Sequence, residues 1–170
     1  MNPLDPSGRE AEFERIFNDY RDMALRVAYG ILRDRQRAED AVQEAFVRIF
    51  RNLPSFEGRS SLKTWVYRIS VNAALDLIPS RPTTGLDQAP EASTLEGPSR
   101  DAERKDLGNR LSAAVRNLPP RQQAAFMLKN QEGLPYAEIA EVLEVRLGTV
   151  KALIHQATQN LRVELSHEQL

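Results

Sequence analysis

Residues 136–161 read YAEIAEVLEVRLGTVKALIHQATQNL, and this stretch decides how the chain folds. In its first part, Tyr136 to Leu143, helical spacing brings Ile139, Ala140 and Leu143 to one side. Ala140 is small where two helices have to approach closely. Glu144-Val145-Arg146-Leu147 interrupts the pattern as a turn. A second helix opens at Gly148-Thr149, and Val150, Ile154, Ala157 and Leu161 recur along it at steps of four, three and four. Its outward positions are Thr149, Ala152, Leu153, Gln156 and Gln159, flanked by Lys151, His155 and Asn160. Between Val145 and Val163 stand three basic residues and no acid. Such a face repels no phosphate, and its amide and hydroxyl groups can pair with base edges in a major groove. The stretch therefore reads as a helix-turn-helix. On spacing alone, a plain helical hairpin with a solvated polar face fits as well.

Working outward, the preceding residues are helical too. One helix spans about 101–117, with Leu107, Leu111, Ala114, Val115 and Leu118 apolar. Pro119-Pro120 breaks it and pre-sets the next, which carries Ala124, Ala125, Met127 and Leu128 and ends at Gly133. Further upstream, Pro79, Pro82, Pro90 and Pro98 fall in a segment without hydrophobic periodicity whose only large aliphatic residues are Leu86 and Leu95. Proline removes backbone donors, and this composition buries too little surface to fold. Residues 79–100 are therefore expected to be a flexible linker between domains at 9–78 and 101–166. In the amino-terminal part, Phe13, Ile16, Phe17, Tyr20, Ala24, Val27 and Ile31 form one apolar stripe, and Ala38, Ala41, Val42, Ala45, Phe46, Ile49 and Phe50 form another. A loop with Pro54, Gly58 and the Ser60-Ser61 pair, one serine serving as N-cap, leads into a third helix bearing Leu62, Val66, Ile69, Ala73 and Leu77, which Pro79 stops. No segment alternates like a strand. The expected fold class is all-α: two small helical domains, the first a bundle of three or four helices.

Two faces of the first domain carry chemistry. Asp40, Gln43, Glu44 and Val47 lie together opposite the core stripe of their helix. Paired carboxylates can do acid–base work, but no nucleophile, metal partner or phosphate loop accompanies them. A docking face for a basic helix is the better functional reading, against a merely solvated charged face. Trp65, Arg68, Asn72 and Asp76 run along the third helix at steps of three, four and four, with Arg59-Ser60-Ser61 before it and Lys63-Thr64 at its start. An aromatic ring beside cations is how proteins hold unstacked bases, at about 1–3 kcal/mol per base. Equally, Trp65 could cap a small core while Asn72 and Asp76 tie helices together.

Composition narrows the classes. The chain has 23 Lys+Arg against 24 Asp+Glu, a formal charge of −1, so it is not a basic chromatin-type protein, although charge sorted onto one face remains compatible with DNA binding. With no cysteine, disulfides and Cys-based zinc sites are excluded, and two histidines do not make a metal site. No apolar stretch approaches the about 18 residues of a membrane span, and Met1-Asn2-Pro3-Leu4-Asp5 has no signal-peptide core. A soluble cytoplasmic protein without metal or cofactor is expected.

Taken together, Tyr20…Ala28…Ala38-Glu39-Asp40…Gln43-Glu44…Phe46, then Trp65-Val66-Tyr67-Arg68-Ile69…Asn72…Asp76, a loose linker, Leu118-Pro119…Ala137-Glu138-Ile139-Ala140…Gly148-Thr149-Val150-Lys151 resembles the extracytoplasmic-function (ECF) sigma factors, the small two-domain members of the bacterial sigma-70 superfamily. The resemblance covers about 10–165. It implies a promoter-directing subunit of RNA polymerase and no enzyme activity of its own. Asp40, Gln43, Glu44 and Phe46, with Val47 beside them, would dock on the β′ clamp helices of core polymerase, and the second domain on the β flap. Arg59, Ser60, Ser61, Lys63, Thr64, Trp65, Arg68 and Asn72 would melt the −10 element and capture a flipped base. Arg146, Thr149, Lys151, Ala152, His155, Gln156 and Gln159 would read the −35 element as duplex DNA. An anti-sigma factor covering both domains is the implied regulator. The chain departs from the family pattern where Leu77-Ile78-Pro79-Ser80-Arg81-Pro82 replaces an arginine-rich run, where Leu153, Gln156 and Thr158 replace arginines, and where Glu144 replaces a turn glycine. The first two departures remove cations from DNA-facing surfaces, and they motivate an alternative: a sigma mimic that binds an anti-sigma factor or polymerase without reading DNA.

Overall fold

In the computed structural model of the chain, which describes residues 6–79 and 100–167, every regular element is helical. The first stripe forms α1 (Pro6–Leu32) and the second α2 (Arg35–Asn52); a 3₁₀ turn (Leu53–Ser55) and a loop lead to α3 (Leu62–Asp76). Then come α4 (Arg100–Asn117), α5 (Pro120–Asn130), α6 (Tyr136–Leu143) and α7 (Leu147–His167). The expected linker falls at 80–99 outside the described residues.

Local chemistry sets the boundaries. Arg33 ends α1 in the left-handed region at φ 56°, its N–H bonded to the Tyr29 carbonyl at 2.8 Å. The Asp34 carboxylate then caps α2 by accepting the Arg37 N–H at 2.8 Å. Of the two serines before α3, Ser61 is the cap, accepting the Thr64 N–H at 3.0 Å. That helix ends at Asp76, three residues before the expected stop at Pro79, and Leu77 is 41% exposed rather than part of the apolar side. Pro120 occupies the first turn of α5, where its missing N–H costs nothing. Glu144 closes α6 at φ 55°, the left-handed conformation that favours glycine.

Helices α1, α2 and α3 form a three-helix bundle. One end is aromatic: Phe46 meets Phe13 and Phe17 at centroid distances of 6.2 and 4.9 Å, both edge-on, and Phe13 meets Phe50 at 5.1 Å. Edge-on pairs add about 0.5–1.5 kcal/mol each beyond burial. In the second domain α5, α6 and α7 pack around Leu128, Ile139, Val142, Leu143 and Val150. Helix α4 is fixed to α7 by Ala114, Val115 and Leu118 against Ala157 and Leu161, while Leu107 and Leu111, expected to share that face, are exposed. The domains also touch. Helix α3 packs along α6, and α1 against α5, so one buried cluster runs continuously from Ile16 and Val27 to Ile139 and Val150.

Candidate docking and nucleic-acid surfaces

The α2 surface is an acidic ridge beside a groove. Asp40, Gln43, Glu44 and Val47 are all exposed, because the steps that send Ala41, Val42, Ala45 and Ile49 inward turn these four to solvent. Gln36 Nε2 donates to Asp40 Oδ1 at 3.1 Å, and Arg48 bridges Glu44 (2.8 Å) and Asp76 (3.0 Å), tying α2 to α3. Alongside, Phe17, Leu25 and Val42 floor a groove of about 270 Å³ rimmed by Arg21, Glu39 and Gln43. Phe46 does not belong to this surface. It points the opposite way and is 4% exposed among Phe13 and Phe17, so it supports the ridge from beneath.

The loop after the 3₁₀ turn and the exposed side of α3 frame a cleft of about 630 Å³. From the first domain it takes Phe56, Arg59, Ser60, Trp65 and Arg68; from the second, Glu141 and Glu144. Trp65 stacks on Phe56 at 4.8 Å between centroids and 35° between planes, and only 7% of it is exposed. The indole is therefore both a lid on the bundle core and a wall of the cleft, which joins the two readings open at the sequence level. Arg59 is exposed and paired with Glu57 at 2.6 Å; Lys63 and Ser61 are exposed; Ser60, Arg68 and Asn72 are half-buried. Thr64 is buried, against expectation for a DNA contact: its Oγ1 lies 2.8 Å from Ser61 Oγ and donates to Glu138 Oε2 at 3.3 Å. Asn72 Nδ2 donates to Glu144 Oε2 at 3.3 Å.

Sequence reasoning missed the centre of this region. Tyr67, 1% exposed, donates its hydroxyl to Glu132 Oε2 at 2.6 Å, and Arg26 Nε and Nη2 clamp the two oxygens of the same carboxylate at 2.8 and 2.9 Å. Hydrogen bonding from Arg26, then from Tyr67, holds the Glu132 carboxyl below its ordinary range, although burial opposes it. Burial first, and Glu132 second, push the Tyr67 hydroxyl well above the usual phenol value. Tyr67 lies on the inward side of the helix pattern and Glu132 just after α5, so only the packing of the domains unites them. Phe56 was likewise unremarked, though an aromatic between Pro54 and Gly58 is the signal that could have found it.

The third surface is the outer face of α7. Val150 and Ala157 are 0% exposed and Leu161 5%, with Ile154 half-buried, so the expected inward row is in place. Arg146, Thr149, Lys151, Ala152, His155, Gln156 and Gln159 are all exposed. Leu153, expected outward, instead leans half-buried onto the core. Gln122 of α5 donates to Gln156 Oε1 at 3.3 Å and accepts from Asn160 at 2.9 Å, which steadies these amides at the edge of the face. Among the described residues no group of three or more His, Asp or Glu side chains is placed to hold a metal ion, and no helix is long and apolar enough to cross a membrane.

Comparison with known proteins agrees with this layout. The family model for Sigma-70 region 2 matches residues 16–81, and that for Sigma-70 region 4 matches 108–161. The ECF RNA polymerase sigma factor SigE of Mycolicibacterium smegmatis is 34% identical over 167 residues, covering 94% of this chain and 65% of that protein. The ECF RNA polymerase sigma factor SigW of Bacillus subtilis is 31% identical over 172 residues, covering 93% of this chain and 91% of that protein. Two solved structures share the fold at a TM-score of 0.68. One is CnrH in complex with the cytosolic domain of CnrY, at 21% identity over 95% of this chain and 92% of that one. The other is the sigma factor RpoE in complex with the anti-sigma factor NepR from Bartonella quintana, at 20% identity over 91% and 97%.

Proposed function

The chain belongs to the ECF sigma factors of the sigma-70 family, and from that membership we propose that its three surfaces divide the work of starting transcription. As a sigma factor it is no enzyme; the polymerase performs the chemistry. The ridge of Asp40, Gln43, Glu44 and Val47, with the apolar groove beside it, docks on the β′ clamp helices, offering carboxylates to cations and Val47 to an apolar contact. The exposed face of α7 reads the −35 duplex: Gln156 and Gln159 present paired donors and acceptors, and Arg146 and Lys151 meet phosphates. The Phe56–Trp65 pair with Arg59, Ser60, Ser61, Lys63 and Arg68 receives the −10 strand once it is melted, and Asn72 adds a polar group beside it, while buried Thr64 steadies the start of α3 through Ser61. Residues 9–78 and 101–166 act as two domains, with 79–100 as their tether. The protein works in the cytoplasm, where polymerase is. An anti-sigma partner belongs to the proposal too, since RpoE of Bartonella quintana, whose fold the chain shares, is bound by one.

The observation that carries the reading is the presence on one chain of an acidic docking ridge, a cleft that sets Phe56 and Trp65 beside Arg59 and Arg68 among the carboxylates of Glu57, Glu141 and Glu144, and an acid-free recognition face. Melting costs about 1.4 kcal/mol per base-pair step, and stacking a released base returns about 1–3 kcal/mol. Neither domain alone needs strong affinity, because polymerase holds both at the promoter and converts the second contact into an intramolecular one. The test is reconstitution of the full chain with core polymerase on a genomic promoter library. Discrete transcripts absent from core alone are expected. Polymerase binding without transcripts or salt-sensitive promoter binding would identify a mimic and sink the reading.

A further inference from the structure

We propose that Gln122, on α5 and outside the recognition helix, is a positioning residue for promoter readout: it grips the Gln156 amide by its oxygen and turns the NH2 group toward the base edges. The inference rests on the assignment of the α7 face to the −35 duplex and specifies which hydrogen-bonding edge that face selects. A relay of three amides carries it.

Asn160 Nδ2 donates to Gln122 Oε1 at 2.9 Å, and Gln122 Nε2 donates to Gln156 Oε1 at 3.3 Å. Both bonds run the same way, so the last member, Gln156, is held through its acceptor and keeps its two N–H donors for another partner. Gln156 and Asn160 stand one turn apart on the exposed face of α7. Gln122, half-buried in the first turn of α5, reaches both because α5 and α7 pack together. Each end of the Gln122 amide is engaged by a different neighbour, so it turns over only if the whole relay turns with it. No local carboxylate drives that reversal: α5 contains no acid, and α7 has none before Glu164. An unheld glutamine lays one donor and one acceptor against adenine. With its oxygen drawn back toward α5, Gln156 offers donors instead. In the major groove guanine presents two neighbouring acceptors, N7 and O6, and thymine presents one, O4. Adenine sets its N6 donor beside N7, and cytosine presents only the N4 donor. The held amide therefore selects guanine at the position it faces. The relay is neutral throughout, so it decides which base is chosen and adds nothing to phosphate attraction.

The polarity of the relay can be reversed from either helix at constant side-chain size. Gln122→Glu puts an acceptor where Gln122 Nε2 donates, so the Gln156 amide turns over, donates to that carboxylate and offers its oxygen to the bases. Asn160→Asp removes the first donor; Gln122 then donates to the new carboxylate and accepts from Gln156, with the same result. The full chain and each variant are reconstituted with core polymerase and bound to a promoter library randomised in the −35 duplex. The wild type is expected to prefer guanine about tenfold at one position, and Gln156→Ala to lose that preference at that position alone. Both reversed variants are expected to replace guanine there by a base that presents a donor, adenine or cytosine, while the other positions keep their preferences. The added negative charge lowers affinity for every sequence alike and leaves these ratios in place. Guanine preference unchanged in either reversed variant overturns the proposal, as does a loss spread evenly over all positions, the mark of a merely structural Gln122. A wild type that favours adenine or cytosine at the Gln156 position also overturns it. A wild type with no preference at any −35 position overturns the assignment of α7 and the inference together, so the two failures are distinguishable.

Discussion

At the scale of single residues, Glu132 has the most legible chemistry. Arg26 and Tyr67 hold its carboxyl below the ordinary glutamate value of 4.5. A group whose pKa is depressed by folding stabilises the folded form above its unfolded pKa, and that contribution is lost as pH falls through the lower folded value. The thermal midpoint of the wild type should therefore fall on acidification below about pH 4.5 more steeply than that of Glu132→Gln, and the two slopes should coincide near neutrality. Tyr67→Phe should cost about 1.5–3 kcal/mol in urea unfolding, the usual worth of a hydrogen bond to a charged group; a loss under about 0.5 kcal/mol would mean the hydroxyl is solvated in solution. Trp65 needs a gentler substitution than alanine, because removing a buried aromatic costs about 3–5 kcal/mol of fold stability. Trp65→Phe should keep the fold and slow promoter opening more than it weakens duplex binding; equal losses in the two assays would assign the indole to the core alone. Phe46 shows where residue-level reading went astray. Family position groups it with the docking ridge, but its spacing from Val42 and Ile49 places it on the buried stripe, and burial prevailed. Phe46→Ala should destabilise the chain by about 3–5 kcal/mol, whereas Glu44→Lys, which gives up an exposed ion pair to Arg48, should cost under about 1 kcal/mol in unfolding and weaken polymerase binding.

At the scale of elements, α7 is the test of how much DNA affinity a nearly cation-free helix can have. Arg146 in the turn just before it and Lys151 on its exposed face are the proposed phosphate partners, and each phosphate neutralised contributes about 0.9 to the salt slope. The affinity of the chain for −35 duplex should thus fall with a log–log slope of about −2, and Lys151→Ala should bring it near −1. Gln156→Ala should alter −35 base preference with little change in that slope, since an amide reads base edges and carries no charge. Helices whose apolar stripe is complete, α2, α6 and the core of α7, were legible in the sequence to within a few residues. Their ends were less so. Helix α1 begins at Pro6, well before its stripe opens at Phe13, and Arg9 secures the added turns by lying 4.2 Å over the Phe50 ring. The last turn of α7, to His167, carries the apolar row on by one step of four to Leu165, which packs against the α4–α7 cluster, and Glu164 accepts a hydrogen bond from Asn117 there. Periodicity reports which face is buried; it says little about where a polar end frays.

At the scale of the molecule, the relation between the two domains was not legible. Hydrophobic stripes predict that each domain buries a core, but nothing in a linear pattern says that Glu132 reaches Tyr67 across 65 residues. That contact depends on shape and on polar satisfaction, which appear only once both bodies exist. The ridge, the cleft and the α7 face each gather residues that the motifs singled out, although Phe46 and Thr64 of those residues are buried. One consequence is practical. The protein contains a single tryptophan, and it forms a wall of the cleft assigned to strand capture. Light absorbed at the red edge of the protein band is emitted from that one place, so intrinsic fluorescence, without any attached dye, is a local gauge of what enters the cleft.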